Sequence, residues 1–219
     1  MFPFSTLINT STNNVVLDVD FRGSAIGTSD VIDKSGTFVF TKKNIGVGTN
    51  VVQYDSELGT NVMNFSSSLY SAVMPTNINL GSMDFTIRMR YKSSPSGIAI
   101  LFSTGYYPSV PARVTGIAYQ IHQNTGYAQT FVTGIEEAQY WRNLCSGASD
   151  SVWLDVTIVK VGTSVQCSIS NLAGVVLGVS PAQMGQTFGS GEEFSIGGYY
   201  KDLGALFVGS IQYIRIETK

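Results

Sequence analysis

The sequence predicts an all-β protein built from two stacked antiparallel sheets. Val and Ile together number 39, against 12 Leu and 11 Ala, and this balance favours half-buried strands over helices. Twenty-three Gly residues, together with Asn, Ser and Thr between short apolar runs, supply turns at frequent intervals. About a dozen strands in a chain of 219 residues, too short for a propeller, fit a sandwich.

The clearest strand lies at residues 84–92, where apolar and polar side chains alternate. The same alternation at 152–158 and, after a Gly-Thr turn, at 165–169 predicts a hairpin. In this register Val152 faces the core and Trp153 faces water. The residues expected in the core are Phe85, Ile87, Met89, Val156, Ile158, Val165 and Ile169.

Ten further strands are predicted from short apolar runs bounded by turn residues. In the last of them the apolar phase slips between Ile211 and Ile214, which indicates a β-bulge. Together the strands predict one domain over residues 1–219, with a short N-terminal arm at 1–14. The ten ranges are 15–21, 37–41, 62–65, 69–74, 98–103, 114–122, 127–133, 175–179, 194–199 and 208–217.

Charge and hydropathy exclude several classes of partner. Charged residues make up 13% of the chain, the net charge is −2, and no run of basic residues is longer than Lys42-Lys43. Neither a nucleic-acid surface nor a membrane surface is therefore expected. The sequence has no apolar window of about twenty residues and no secretory signal, which predicts a soluble protein made in the cytoplasm.

Metal and disulfide chemistry are not expected either. Cys145 and Cys167 are the two cysteines, too few for a disulfide framework, and the pattern around Cys167 predicts a buried apolar residue. Asp18 and Asp20 share one strand face and could suit a hard cation, although calcium would need further oxygen ligands. We interpret them as solvent-facing carboxylates and expect no cofactor and no metal.

Several segments resemble the motifs of a known family. VMNF at 62–65 and LYSAV at 69–73 resemble its apolar-x-Phe-Asp-Gly and Tyr-Val hairpin. DFTIRM at 84–89 resembles its Phe-Thr-Ile-x-x-Trp strand. WLDVTIV at 153–159, followed by a hairpin at 165–177, resembles its Trp-His-His-Val-Ala strand and Tyr-Val-Asp-Gly turn.

The closing segments continue the match. FSIGG at 194–198 resembles Leu-x-Ile-Gly-Gly, and FVGSIQYIRI at 207–216 resembles Gly-x-Ile-Asp-x-Val-Arg-Ile. The chain thus resembles the concanavalin A-like lectin and glucanase family, in its laminin-G-like branch, and this resemblance implies a jelly-roll sandwich. The family's Asp-Gly turns are replaced at 66–68 and 170–174, and its closing-strand Asp is Gln212. These changes remove carboxylates that often support calcium in the family.

The carboxylate pattern argues against catalysis. Glycanases of this superfold commonly carry Glu-x-Asp-x-x-Glu on one strand face, a motif that the sequence lacks. Glu136 and Glu137 are consecutive, so on a strand they would point to opposite faces. His122, the one histidine, is predicted on a polar strand face with Gln120 and has no accompanying nucleophile motif. No catalytic residue is expected, and the protein is predicted not to be an enzyme.

Aromatic clusters in apparent loops are the best sign of a binding site. Tyr and Trp combine large contact area with a polar group, which suits sugar stacking and protein interfaces alike. Packing within the rim of the sandwich remains the alternative explanation. The candidate binding residues are Tyr106, Tyr107, Tyr140, Trp141, Arg142, Tyr199, Tyr200 and Asp202.

The superfold hosts lectins, glycanases, adhesion modules and viral structural proteins. A sandwich that starts near Met1, has no secretion signal and is low in charge favours a non-catalytic structural or adhesive virion protein, such as a phage capsid-decoration or tail-associated subunit. A free-standing carbohydrate-binding lectin is the alternative, and a glycoside hydrolase is a remote one. The expected partners are virion proteins or a host-surface glycan, with homo-oligomerisation left open.

Overall fold

The computed structural model describes residues 14–44, 49–66, 68–94, 98–104, 116–122, 127–133, 140–182, 193–198 and 205–219. These residues form two antiparallel sheets that pack into a sandwich, so the predicted fold class is confirmed. Within the described ranges the one helical element is a 3₁₀ turn at Phe21–Gly23. None of the helical structure there has the length and apolar character that a membrane crossing would require.

Eight strands make the first sheet and seven make the second. The first sheet contains β1 (Asn14–Asp20), β3 (Val51–Asp55), β4 (Thr60–Phe65), β6 (Phe85–Ser93), β11 (Leu154–Val161), β12 (Ser164–Asn171), β13 (Val176–Val179) and β15 (Gly209–Thr218). The second sheet contains β2 (Thr41–Asn44), β5 (Ser68–Val73), β7 (Ile98–Ser103), β8 (Gly116–His122), β9 (Tyr127–Thr133), β10 (Tyr140–Ser146) and β14 (Glu193–Ile196). The first is ordered β13-β12-β11-β6-β15-β4-β3, with β1 also pairing with β15, and the second is ordered β10-β9-β8-β7-β14-β5-β2.

The core lies between the two sheets and follows the predicted alternation. All seven residues expected in the core are exposed by 2% or less, and burying a side chain of this size contributes about 1.5–3 kcal/mol. Cys145 on β10 and Cys167 on β12 are buried free thiols, and Cys145 Sγ lies 3.7 Å from the Cys167 carbonyl oxygen. The prediction that Cys167 is a buried apolar residue is confirmed.

Three strand predictions differ from the structure. The strand expected at 37–41 begins only at Thr41, because the Asp33 carboxylate accepts the N–H groups of Thr37 and Phe38, each at 2.9 Å, and holds them out of a ladder. Strands β3 and β10 were not predicted, since neither short segment alternates clearly between apolar and polar residues. Residues 1–13 of the expected arm lie outside the described residues, and Asn14 belongs to β1.

Three side chains differ in burial from their predicted side. Trp153 is 2% exposed and Val152 is 42% exposed, because β11 begins at Leu154 and the two residues before it do not follow the strand alternation. Gln120 is buried rather than on a wet face. The chain near Ala205 crosses this side of the second sheet, where its carbonyl accepts the N–H of Ile100, the cross-strand partner of Gln120.

The predicted bulge in the last strand is confirmed and sets the outward face of β15. Pairing with β6 shifts register between Ile211 and Tyr213. The extra residue lets Ile211 and Ile214 both reach the core although they are three positions apart, while Tyr213 points outward. The bulge therefore places a tyrosine on the outer face of the first sheet, beside β1 and β6.

Candidate functional site

The rim cluster predicted from the sequence is only partly within the described residues. Tyr140, Trp141 and Arg142 begin β10, an edge strand of the second sheet, and so do not lie in the loop that was predicted. Their side chains are outside the described residues. So are the remaining candidate residues Tyr106, Tyr107, Tyr199, Tyr200 and Asp202.

A polar groove of about 290 Å³ lies on the outer face of the first sheet. It extends over β1, β15 and β6, and its volume is at the small end of the roughly 300–1,000 Å³ of ligand pockets. Charged groups of both signs surround one aromatic ring. The lining residues are Asp18, Asp20, Arg22, Arg90, Gln212, Tyr213 and Arg215.

Strand register brings these residues together from distant parts of the sequence. Asp20 is the cross-strand partner of Tyr213, and Asp18 is that of Arg215. On the other side of β15, Tyr213 is paired with Arg90 of β6. Since side chains alternate between faces along a strand, these partners all stand on the same outward side.

Tyr213 is held in place by Arg90 and Asp155. Asp155 on β11 accepts hydrogen bonds from Arg90 Nε and Nη2, each at 2.7 Å, and Arg90 Nη1 donates to Gln212 Oε1 at 3.2 Å. The Arg90 guanidinium lies 5.8 Å from the centre of the Tyr213 ring, within the range of a cation–π contact. The Tyr213 hydroxyl lies 3.4 Å from Asp155 Oδ1, so the side chain extends from β15 across β6 towards β11.

Electrostatics agree with this rigid arrangement. The hydrogen bonds to Asp155 raise the pKa of Arg90. Burial raises the pKa of Tyr213, and the nearby charge of Asp155 raises it further. The phenol and the guanidinium therefore both keep their protons at neutral pH and present donors, while Asp155 is occupied by its partners.

A second internal ion pair fixes the β1 wall of the groove. Asp20 accepts from the backbone N–H of Arg22 at 3.0 Å and from its Nε and Nη2 at 2.9 and 2.6 Å. Lys34 Nζ lies 3.6 Å from the same carboxylate. Burial acts to raise the pKa of Asp20, but the hydrogen bonds from Arg22 outweigh it and the pKa is lowered. Asp20 therefore stays ionised.

Asp18 and Arg215 differ from the paired groups around them. The Asp18 carboxylate makes no hydrogen bond or ion pair with any residue of the described ranges, although its backbone N–H is anchored on Asp33 Oδ1 at 2.8 Å. Arg215 Nε lies 3.1 Å from Glu217 Oε1, and Glu217 also binds Arg88. The terminal nitrogens of Arg215 have no partner among the described residues, and 41% of its side chain is exposed.

A second cavity shares the lining residue Asp20 with the groove. Its volume is about 360 Å³, and it lies over the 3₁₀ turn and the loop that leads away from it. Ile32 in this cavity is 67% exposed and offers an apolar surface. The lining residues are Asp20, Gly23, Ser24, Ala25, Thr28, Asp30, Ile32 and Lys34.

Most of the groove was missed by the sequence analysis. Asp18 and Asp20 are on the shared outward face that was predicted, but Asp20 is paired and only 11% of its side chain is exposed. The alternation at 84–92 and the phase slip after Ile211 contain the signal that would have placed Arg90 and Tyr213 outward. What they do not contain is the strand order that makes them neighbours. Among the described residues there is no cluster of His, Cys, Asp and Glu arranged to hold a metal ion.

No protein-family model matches the chain, and no curated protein matches it. Several solved structures match its fold. Domain 4 of AbnA, a GH43 extracellular arabinanase from Geobacillus stearothermophilus, in complex with arabinotriose, superposes with a TM-score of 0.65 at 14% identity, covering 94% of this chain and 93% of that one.

Botulinum neurotoxin domains share the same architecture. The receptor binding domain of botulinum neurotoxin mosaic serotype C/D superposes with a TM-score of 0.60 at 14% identity. A structure of botulinum neurotoxin type C superposes with a TM-score of 0.59 at 13% identity, and the cell entry of that toxin is described as dependent upon interaction with two ganglioside molecules. Each match covers 93% of this chain but 47% of the other, so the chain spans about half the length of these neurotoxin chains. This chain therefore has the same two-sheet β-sandwich fold, the architecture that its resemblance to the concanavalin A-like family implies.

Proposed function

We propose that this protein is a non-catalytic glycan-binding module that binds through the polar groove over β1, β15 and β6. The observation that carries the proposal is the Tyr213 ring, fixed by Arg90 and Asp155. It is flanked by the Asp18 carboxylate and the Arg215 terminal nitrogens, which have no partner among the described residues. An aromatic surface can pack against the C–H face of a sugar, while charged side chains bind its hydroxyls directionally.

Two features of similar structures support this function. The arabinanase domain is in complex with arabinotriose, and type C neurotoxin interacts with gangliosides. Because a shared superfold hosts many functions, these ligands support glycan binding only together with the groove. We place the ligand on the outer face of the first sheet because of the groove residues of this chain, and not because of the ligands of the similar structures.

The charge state of the groove argues against glycoside hydrolysis. Hydrolysis needs one carboxyl group that is protonated and can act as a general acid, and such groups usually have a raised pKa. Asp20 has a lowered pKa and is bound to Arg22 and Lys34. Asp155 is bound by both forks of Arg90. With Asp20 and Asp155 engaged in these ion pairs, Asp18 is left as a single free carboxylate, whereas hydrolysis needs two, and this supports binding without catalysis.

The test compares the groove with the rim cluster. Wild-type protein is screened on an array of neutral and acidic glycans, and the affinity for the best ligand is then measured by titration calorimetry for Tyr213→Ala, Tyr213→Phe and Trp141→Ala. Loss of the ring should weaken binding by about 2 kcal/mol, roughly thirtyfold, as for a central contact residue. Tyr213→Phe keeps the ring and should retain most of the affinity.

Each alternative outcome has a distinct meaning. If wild-type protein binds no glycan, the proposed function is wrong. If Trp141→Ala abolishes binding while Tyr213→Ala leaves it unchanged, glycan binding stands but the site is the rim cluster on β10. Melting temperatures of all three variants separate lost contacts from lost folding.

We also propose that the module acts as an adhesive or structural part of a virion, made in the host cytoplasm. The low share of charged residues, 13% of the chain, supports this location. Mass spectrometry of purified particles tests it independently of the glycan, and absence of the protein from particles would leave a free-standing lectin as the function.

A further inference from the structure

We infer that the groove selects a neutral sugar whose adjacent hydroxyls bridge Asp18 and Arg215, and that it excludes glycans bearing a carboxylate at this position. The inference rests on the proposed function and names the ligand class for the same groove. It follows from Asp18 and Arg215, two groove residues whose carboxylate and terminal nitrogens have no partner among the described residues.

The paired residues of the groove have little capacity left for a ligand. Arg90 is bound by Asp155 and Gln212, and Asp20 is bound by Arg22. Breaking either pair to bind a ligand would leave a desolvated charge without its partner. These residues shape and stiffen the groove, and Tyr213 supplies its apolar surface.

Asp18 and Arg215 supply the polar contacts. They are direct cross-strand partners on β1 and β15, yet no ion pair joins them within 4.0 Å, because Arg215 is drawn towards Glu217 on its own strand. An ionised carboxylate only accepts hydrogen bonds and a guanidinium only donates them. A ligand that satisfies both must therefore offer a donor and an acceptor side by side.

A pair of adjacent sugar hydroxyls meets this requirement, because each hydroxyl both donates and accepts. One hydroxyl donates to the Asp18 carboxylate while its neighbour accepts from an Arg215 terminal nitrogen. A carboxylate ligand would gain from Arg215 but face repulsion from Asp18 and Asp20, and an amine ligand would gain from Asp18 but face Arg215 and Arg22. Charges of both signs on one wall thus disfavour ionic ligands of either sign.

The second cavity points to an oligosaccharide rather than one sugar ring. Both cavities are lined in part by Asp20, so they adjoin this residue, one on the side of Tyr213 and the other on the side of Ile32. A chain of two or three rings would place one ring at Tyr213 and the next beside the exposed Ile32. This predicts affinity that rises from a monosaccharide to a trisaccharide.

The test compares neutral ligands with acidic counterparts. Galactotriose and trigalacturonate have the same ring but carry a hydroxymethyl group or a carboxylate, and lactose and sialyllactose add a second comparison. Wild-type protein should bind the better neutral ligand at least tenfold more tightly than its acidic counterpart. Asp18→Asn and Arg215→Gln should each weaken neutral binding by roughly tenfold, the usual effect of losing one hydrogen bond to a charged group.

Matched variants control for general surface charge. Asp55→Asn removes a carboxylate in the β3–β4 turn, and Arg88→Gln removes the other arginine that binds Glu217 without lining the groove. Both should retain wild-type affinity. In Asp18→Asn the tenfold discrimination against the acidic ligands should shrink, because the repelling carboxylate is gone.

The outcomes distinguish this inference from the proposed function. If acidic glycans bind more tightly than neutral ones and Tyr213→Ala abolishes that binding, the groove is a glycan site and the charge selection is wrong. If Asp18→Asn and Arg215→Gln bind neutral ligands as well as Asp55→Asn and Arg88→Gln do, the bridging role is wrong. If no ligand of either class binds, the proposed function itself fails.

Discussion

Replacing Asp33 with Asn should destabilise the protein strongly although the two side chains have almost the same shape. Asp33 is 7% exposed, and its Oδ1 accepts from the backbone N–H groups of Asp18 and Ser35 at 2.8 and 3.0 Å. Its Oδ2 accepts from those of Thr37 and Phe38, each at 2.9 Å. One carboxylate therefore organises four backbone donors from β1 and the loop that follows.

The magnitude follows from counting donors. Asparagine keeps one oxygen and replaces the other with an NH₂ group, which cannot accept. Whichever way the amide is oriented, two backbone N–H groups lose their acceptor, and each such loss in a buried setting costs about 1–3 kcal/mol. We expect Asp33→Asn to lower the free energy of unfolding by about 2–6 kcal/mol, measured by urea denaturation followed by circular dichroism.

Asp55→Asn is the matched control. Asp55 Oδ1 alone accepts from the N–H groups of Glu57 and Leu58, both at 3.0 Å, and an asparagine can keep that single oxygen in place. Its effect should be below about 1 kcal/mol. If Asp33→Asn is no more destabilising than Asp55→Asn, the loop is not organised by the carboxylate and the reasoning is refuted.

Three further perturbations test other parts of the structure. Gly178→Ala should lower the free energy of unfolding by more than about 2 kcal/mol, because the added Cβ would lie 2.0 Å from a backbone oxygen of β10, where the two sheet edges meet. In Gly23→Ala the added Cβ has open space, so urea unfolding of this variant should be nearly unchanged. Arg22→Gln should make the melting temperature less sensitive to acid. The lowered pKa of Asp20 stabilises the fold at pH values above the ordinary pKa of an aspartate, and this stabilisation is lost as the pH falls through the pKa of Asp20 in the folded protein. The difference in melting temperature between wild type and variant should therefore shrink between about pH 5 and pH 2. Val176→Lys should raise the protein concentration at which light scattering detects aggregation without changing the melting temperature, because this residue is 58% exposed on edge strand β13. Unchanged aggregation would show that this sheet edge does not drive self-association.

Much of the fold is predictable because alternation is a local property. The strands expected at 98–103 and 127–133 have the predicted ends, and the slip after Ile211 correctly indicates the bulge. The failures have separate local causes. The edge strand β10 needs fewer apolar residues than a central strand, and Trp153 lies just outside the alternating segment, packed beneath Lys92, whose Nζ is 5.7 Å from its ring.

The groove was less predictable because it depends on strand order. Tyr213, Arg90 and Asp155 are aligned across three adjacent strands, but their sequence separations carry no sign that β6 lies between β15 and β11. Predicting the site from aromatic clusters selected residues that are adjacent in sequence. The groove has a single tyrosine, and its neighbours come from other strands.

The uneven distribution of charge over the first sheet explains why a rigid groove forms at β1, β15 and β6. Residues 161–191 contain no charged side chain, and at that edge β13 exposes aliphatic residues such as Val176 and Val179. Away from that edge, in the middle of the same sheet, ion pairs such as Arg90–Asp155 hold the groove walls in place without a ligand. Binding through Asp18 and Arg215 then needs to order the free ends of these two side chains, so little conformational entropy is lost on association. A small groove with two free polar side chains can for this reason be selective even though its area is modest.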